Sequence, residues 1–283
     1  MKTIFFGSNN FSLPILEYLV ENTNLLGVVL KTEKNVISEY VKENKINYVL
    51  YDDMDSQYLS NTDFVIVASF GKIIPTNITD NFRCINVHGS MLPKLRGATP
   101  IQTALNLGYK TTGVSVIEMN SKMDEGDILS AKGIKISNND NRETLEYKMG
   151  LLGGEILIDT LYNIDKIKKK KQDSSIATYC YISDFERSKG KIQWEDNAEN
   201  IRNKIRAFYP AWSIYKGKSV NIKEVSITEI KSSTPGTILI DSKDLLISCS
   251  DLYIKVDLIQ KESKSYISGR EFRSGIKDVF EFS

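Results

Sequence analysis

Histidine is nearly absent from this chain: its 283 residues include one, His88. Two-His and three-His metal sites are thereby excluded, as is any relay of protons between imidazoles. Cysteine is scarce too. Cys84, Cys180 and Cys249 stand singly with no C-x-x-C pair, which removes zinc ribbons and thioredoxin-like redox sites. An odd, sparse set of thiols suits a reducing cytoplasm better than a disulfide framework. No apolar run approaches the ~18 residues of a membrane span. The opening Met1-Lys2-Thr3-Ile4-Phe5-Phe6-Gly7 turns polar at Ser8, too soon for the apolar core of a secretory leader. Net charge is also missing: 37 basic and 36 acidic residues leave +1. Any contact with nucleic acid must therefore be local. Gly7-Ser8-Asn9-Asn10 is not a G-x-G-x-x-G fingerprint, and no G-x-x-x-x-G-K-[ST] phosphate loop occurs. Asp124, Glu125 and Asp127 lack a second type of ligand group, so no metal is expected.

What is present suits a soluble globular protein with room for two domains: 41% hydrophobic and 26% charged residues. Short apolar runs at residues 3–6, 25–30, 48–51, 64–68 and 84–88 read as buried strands. Helical periodicity fills residues 11–20 and 36–43 between them. This alternation predicts an α/β, Rossmann-like parallel sheet covered on both faces, with ligands beyond the carboxyl ends of its strands. A helix over 99–107, strands over 113–119 and 128–136, and a helix over 142–162 follow. Within that last helix, Gly153-Gly154 marks a weak point or a close packing contact.

Lys166-Ile167-Lys168-Lys169-Lys170-Lys171 then breaks the pattern. We expect a first domain over residues 1–165, a basic linker over 166–180 and a second domain over 181–283. The second has a helix near 198–208 and short strands over 219–225, 236–239, 244–248 and 252–258, the pattern of a small β-rich, barrel-like fold. The linker lysines, with Arg202, Lys204 and Arg206, form the best candidate basic patch. A solvated linker and an exposed helix face would look the same.

The chemistry points to residues 85–129. Asn86 and His88 are two apart in a strand, so their side chains share one face at its carboxyl end. Asp124 follows in a loop. Amide, imidazole and carboxylate together can stabilise an oxyanion and hold or charge the imidazole. A nucleophilic Ser or Cys is unnecessary where the attacking amine belongs to a substrate. Incidental placement would leave His88 a satisfied or exposed histidine and Asn86 a turn cap. A Ser90-based triad lacks the G-x-S-x-G elbow.

Residues 86–102, NVHGSMLPKLRGATPIQ, resemble the signature of the folate-dependent formyltransferases, as do Thr112-Gly113-Val114-Ser115 and Met123-Asp124-Glu125-Gly126-Asp127-Ile128. Within that superfamily, Gly97-Ala98-Thr99-Pro100-Ile101-Gln102 is most similar to the methionyl-tRNA formyltransferases. So are the distal segments Ala177-Thr178-Tyr179, Arg206-Ala207-Phe208-Tyr209-Pro210 and Pro235-Gly236-Thr237-Ile238. The resemblance implies formyl transfer from 10-formyltetrahydrofolate to the α-amino group of methionyl initiator tRNA by direct amine attack. It implies catalytic roles for Asn86, His88 and Asp124, with Asp124 orienting His88. Ser90, Met91, Leu92, Pro93, Lys72 and Ile73 would bind the folate. Lys168, Lys169, Lys170, Lys171 and Arg206 would contact the tRNA of a cytoplasmic monomer. A sugar-nucleotide N-formyltransferase and a 10-formyltetrahydrofolate hydrolase share the same core residues and are the alternatives. One departure stands out: the basic, Gly-rich insertion usual after the second strand is reduced here to residues 31–35.

Overall fold

The computed structural model describes residues 1–276 and 281–283. It divides the chain into two compact units. The first holds residues 1–101, 111–136 and 143–181; the second holds 102–110, 137–142 and 182–283. Residues 166–180, expected as a linker, are thus part of the first unit's fold.

In chain order the first part comprises β1 (Lys2–Gly7), α1 (Ser12–Asn22), β2 (Asn24–Leu30), α2 (Val36–Glu43), β3 (Tyr48–Leu50), β4 (Phe64–Ala68), α3 (Thr76–Thr79) and β5 (Cys84–His88). Then come β6 (Arg96–Gly97), α4 (Pro100–Asn106), β7 (Thr111–Glu118), β8 (Asp127–Lys135), α5 (Arg142–Asn163) and β9 (Tyr179–Cys180). The main sheet has the order β3-β2-β1-β4-β5-β7-β8. Strands β3 to β5 are parallel, but β5–β7 and β7–β8 are antiparallel. The five strands expected to form a parallel Rossmann-like sheet do so, and β7 and β8 extend it in antiparallel fashion. A buried apolar run carries no direction, so pattern alone cannot distinguish the two pairings. Chain order reverses at β1, so the crevice beyond the carboxyl ends of β1 and β4 is the topological switch point.

Residues 4–6 and 65–68 are buried without alternation because both faces of the sheet are covered. Each of the Ile, Val and Phe side chains among them contributes about 1.5–3 kcal/mol. Asn35 starts α2 with a capping box: its Oδ1 accepts from the Ser38 N–H at 2.9 Å, and Ser38 Oγ accepts from the Asn35 N–H at 3.1 Å. The glycines of α5 mark a packing contact. A Cβ at Gly154 would run into the Tyr18 ring on α1, and one at Gly153 would press on Val87 of β5. Val87 thus faces α5. By alternation Cys84, Asn86 and His88 face the opposite side, where Cys84 packs with Ile4, Phe6, Val65 and Val67.

The second unit contains α6 (Ala198–Phe208), β10 (Ala211–Tyr215), β11 (Lys218–Lys231), β12 (Leu246–Ser248), β13 (Leu252–Lys261), β14 (Tyr266–Ser268) and α7 (Gly269–Ser274). Its antiparallel sheet runs β10-β11-β13-β12, with β14 also on β13. Two extended segments close the ring. The Ser248 N–H donates to the Thr237 carbonyl (2.9 Å), and the Phe282 N–H to the Gly236 carbonyl (3.0 Å). Ile214 and Ser283 exchange both bonds, at 2.7 and 3.0 Å. Residues 236–239, expected as a strand, are only a bridged segment, Ile238 pairing with Ile247, and Gly236 before it has φ +82°. Inside lie Trp194, Ile201, Ile205, Val220, Ile254, Val256, Phe272 and Phe282. The barrel-like expectation therefore holds, with β10, β14 and α7 as additions.

Candidate active site

His88 ends β5 and is buried, with Asn86 beside it on the same face. The His88 Nε2 lies 2.9 Å from the Leu95 carbonyl oxygen. A carbonyl can only accept, so Nε2 carries the hydrogen. The other nitrogen, Nδ1, faces Asp124 Oδ1 at 3.6 Å. The Asn86 amide donates to the same Oδ1 at 3.2 Å, and the Gly97 N–H donates to Oδ2 at 2.8 Å. The three residues singled out from spacing do converge. The Leu95 carbonyl holds one ring nitrogen of the imidazole, and the Asp124 carboxylate lies near the other, 3.6 Å away.

Asp124 sits in the loop between β7 and β8 with φ +53°, a left-handed conformation that costs a non-glycine residue about 1 kcal/mol or more. Its surroundings hold it there. Gln172 donates to the Asp124 carbonyl (2.7 Å) and to the Gly126 carbonyl (2.8 Å). The Gln172 side-chain oxygen accepts from Arg96 Nε (3.1 Å) and Nη2 (2.9 Å). Arg96 is only 1% exposed. Its remaining N–H groups reach Ser174 Oγ, the Tyr179 hydroxyl and the Glu125 carboxylate, at 3.3, 3.4 and 3.2 Å. A buried guanidinium is tolerable only with such complete pairing. Arg96 and Gln172 were not among the expected site residues. Arg96 lies inside the signature over residues 86–102, but nothing local sets it apart from Lys94 two residues earlier. Gln172, in a polar stretch, carried no signal.

The sequence model described as formyl transferase matches residues 19–161, and the one described as formyl transferase, C-terminal domain matches residues 185–277. The chain belongs to the formyl transferase family. It is 34% identical to the methionyl-tRNA formyltransferase of Caldicellulosiruptor saccharolyticus, over 98% of this chain and 97% of that one. Among solved structures, HypX from Aquifex aeolicus in complex with tetrahydrofolic acid superposes with a TM-score of 0.69 at 15% identity. That match covers 96% of this chain but only 46% of HypX. WlaRD, a sugar 3N-formyl transferase, gives 0.68 at 20% identity, covering 94% of this chain and 99% of that one. These two likenesses are of fold.

The remaining expected residues of this formyl transferase are placed unevenly. Lys72 and Ile73 occupy the loop after β4, at the switch point. Lys72 is paired with Asp52 at 2.6 Å and lies 4.6 Å from the Tyr51 ring centre, while Ile73 is 80% exposed. The loop after His88 is pinned to β7: the Leu92 N–H donates to Ser115 Oγ (3.0 Å), which donates to the Ser90 carbonyl (2.8 Å). Ser115 pairs with His88 in the sheet register. Met91 lies against Gly113, where a Cβ would collide with its sulfur. Leu92 is buried and joined to Pro93 by a cis peptide. Ser90 Oγ donates to the Lys94 carbonyl at 2.5 Å, so its hydroxyl serves its own loop.

The basic residues behave differently from one another. Lys168 and Lys171 are exposed. Lys169 pairs with Glu118, and Lys170 exchanges backbone bonds with Ile128. Arg206, expected at a tRNA-contacting surface, is 6% exposed and donates to the Ser137 carbonyl at 3.2 Å. Burial pushes its pKa down from the usual guanidinium value. It is a structural residue of the second unit, and the expectation for it is corrected. Among the described residues, no group of three or more His, Cys, Asp or Glu is placed to hold a metal, and no helix is long and apolar enough to cross a membrane.

Proposed function

We propose that this enzyme transfers the formyl group of 10-formyltetrahydrofolate to the α-amino group of methionyl initiator tRNA, in the cytoplasm, at the start of protein synthesis. The observation that carries the proposal is the 34% identity to a methionyl-tRNA formyltransferase along nearly the full length of both chains. The convergence of Asn86, His88 and Asp124 supports the chemistry. Exposed Ile73 and half-exposed Met91 offer apolar surface suited to the rings of the folate, beside the switch-point loops. In this reading residues 1–165 bind the donor and carry the reaction, and residues 181–283 contribute contacts to tRNA. Lys168 and Lys171 add local positive charge.

The residues divide the work as follows. The acceptor amine attacks the formyl carbon, and negative charge grows on the formyl oxygen. Asn86 gives one amide hydrogen to Asp124 and has a second to offer that oxygen. His88, fixed by the Leu95 carbonyl at Nε2 and with the Asp124 carboxylate 3.6 Å from Nδ1, adds to the polar surroundings of the same charge. The amine gives up a proton, through solvent or the Asp124 carboxylate, to N10 of the folate; as the tetrahedral adduct collapses, the formyl carbon–N10 bond breaks, leaving the formylated amine and tetrahydrofolate. Catalysis thus comes from positioning and oxyanion stabilisation, with no covalent bond to the enzyme.

An acceptor assay tests this. The protein is incubated with 10-formyltetrahydrofolate and either methionyl initiator tRNA or an amino-sugar nucleotide, and formyl incorporation and formate release are followed. Transfer to the tRNA is expected. Transfer to the sugar alone, or formate release with neither acceptor modified, would overturn the proposal.

A further inference from the structure

We propose that Gln172, locked by the buried guanidinium of Arg96, is the positioning residue that sets the Asp124 carboxylate. The kinetic consequence rests on the function proposed above; the structural one does not. Asp124 holds a left-handed backbone conformation in the loop over residues 119–126, and Met123 beside it is exposed. Asn86 and Gly97 bind the carboxylate but do not fix the backbone that carries it. Gln172 does, by placing its two amide hydrogens on the carbonyls of Asp124 and Gly126 at 2.7 and 2.8 Å.

The orientation of that amide is itself determined. Its oxygen accepts two N–H groups of Arg96, at 3.1 and 2.9 Å. A flipped amide would set its NH₂ against the guanidinium and its oxygen against two carbonyl oxygens. All four hydrogen-bonding positions of the amide are therefore used in one orientation only. Arg96 cannot turn away, since its other N–H groups are spent on Ser174, Tyr179 and Glu125. The residue after Arg96, Gly97, gives its N–H to Asp124 Oδ2 at 2.8 Å. Residues 96–97 thus hold Asp124 twice: its side chain directly, and its backbone through Gln172. An amide that merely anchored residues 166–180 would have no need to bridge the two carbonyls around Asp124.

The test uses the full chain with Gln172→Glu and Gln172→Ala. Glutamate keeps the size and the partnership with Arg96 but sets an oxygen against the Asp124 and Gly126 carbonyls. It therefore isolates the donor function and stands in should the alanine variant fail to fold. Amide hydrogen exchange at Gly97 reports the grip on the Asp124 carboxylate independently of activity. We expect Gly97 to exchange at least about tenfold faster in both variants. For formyl transfer to methionyl initiator tRNA, we expect kcat to fall about 10–100-fold, with KM for the folate donor unchanged within about twofold. In an Asp124→Asn background, Gln172→Ala should cost no more than about twofold further, because both changes act on one group. Unchanged Gly97 exchange in the glutamate variant, or losses that multiply independently in the double variant, would overturn the proposal. Should the wild-type protein formylate no acceptor, the functional reading fails, and Gly97 exchange alone still decides whether Gln172 positions Asp124.

Discussion

Replacing Asp124 with asparagine keeps the size of the side chain and removes its charge. With the imidazole protonated, the carboxylate lies 3.6 Å from His88 Nδ1, both side chains being largely buried. At an effective dielectric constant of about 20 the gross attraction is about 4–5 kcal/mol. Converted wholly into barrier height, that is somewhat more than three orders of magnitude in rate, an upper bound. Asparagine also brings one acceptor where the carboxylate served two donors. Its NH₂ must oppose either the Gly97 N–H or the Asn86 amide, leaving one group unpaired at about 1–3 kcal/mol. We therefore expect kcat to fall about 10²–10³-fold while the folate donor binds with nearly unchanged affinity. Single-turnover formyl transfer, with enzyme in excess over methionyl initiator tRNA, separates the chemical step from product release. A variant within about fivefold of the wild-type rate would show that the His88–Asp124 pair does not stabilise the reacting charge.

Further tests reach other parts of the molecule. Asn86→Ala removes the donor proposed for the formyl oxygen and should lower kcat by about 10²–10³-fold, as measured in the same assay. Lys168→Ala with Lys171→Ala should reduce the slope of log affinity for tRNA against log salt by about 1–2. Lys169→Ala should change it less, since Glu118 already neutralises that charge. Burial pushes the thiols of Cys84 and Cys249 up to about 12. Near pH 8 only about 10⁻⁴ of each is thiolate, so a disulfide reagent should leave both unlabelled until denaturant is added. Gly154→Ala drives a methyl group into Tyr18 on α1. It should cost about 1–3 kcal/mol, seen as a lowered Tm.

Much of this arrangement was visible in the linear pattern. Helix α2 falls where apolar periodicity predicted it, and α6 spans the residues expected, 198–208. Asn86, His88 and Asp124 were recognisable from a strand's two-residue alternation and an acidic loop. Strand β10 was not, because Tyr209 in a left-handed conformation ends α6 and a strand begins two residues later. With the turn compressed into Tyr209-Pro210, the helical and extended patterns run together. Helix α7 does carry its signal, a Ser268–Glu271 capping box, but six residues are too few for periodicity to register. Arg206 misled because composition cannot separate a buried cation from an exposed one on an amphipathic helix. The Arg96–Gln172 contact joins residues 76 apart, and no local pattern encodes such a pairing.

A single competition tests the proposed function most directly. The protein is given 10-formyltetrahydrofolate together with equal amounts of methionyl initiator tRNA and an amino-sugar nucleotide, and the formylated products are identified by mass. Formyl-methionyl-tRNA should dominate, and the product should vanish with His88→Ala. Formyl-sugar as the main product, or formyl-methionyl-tRNA formed at the wild-type rate by His88→Ala, would contradict it.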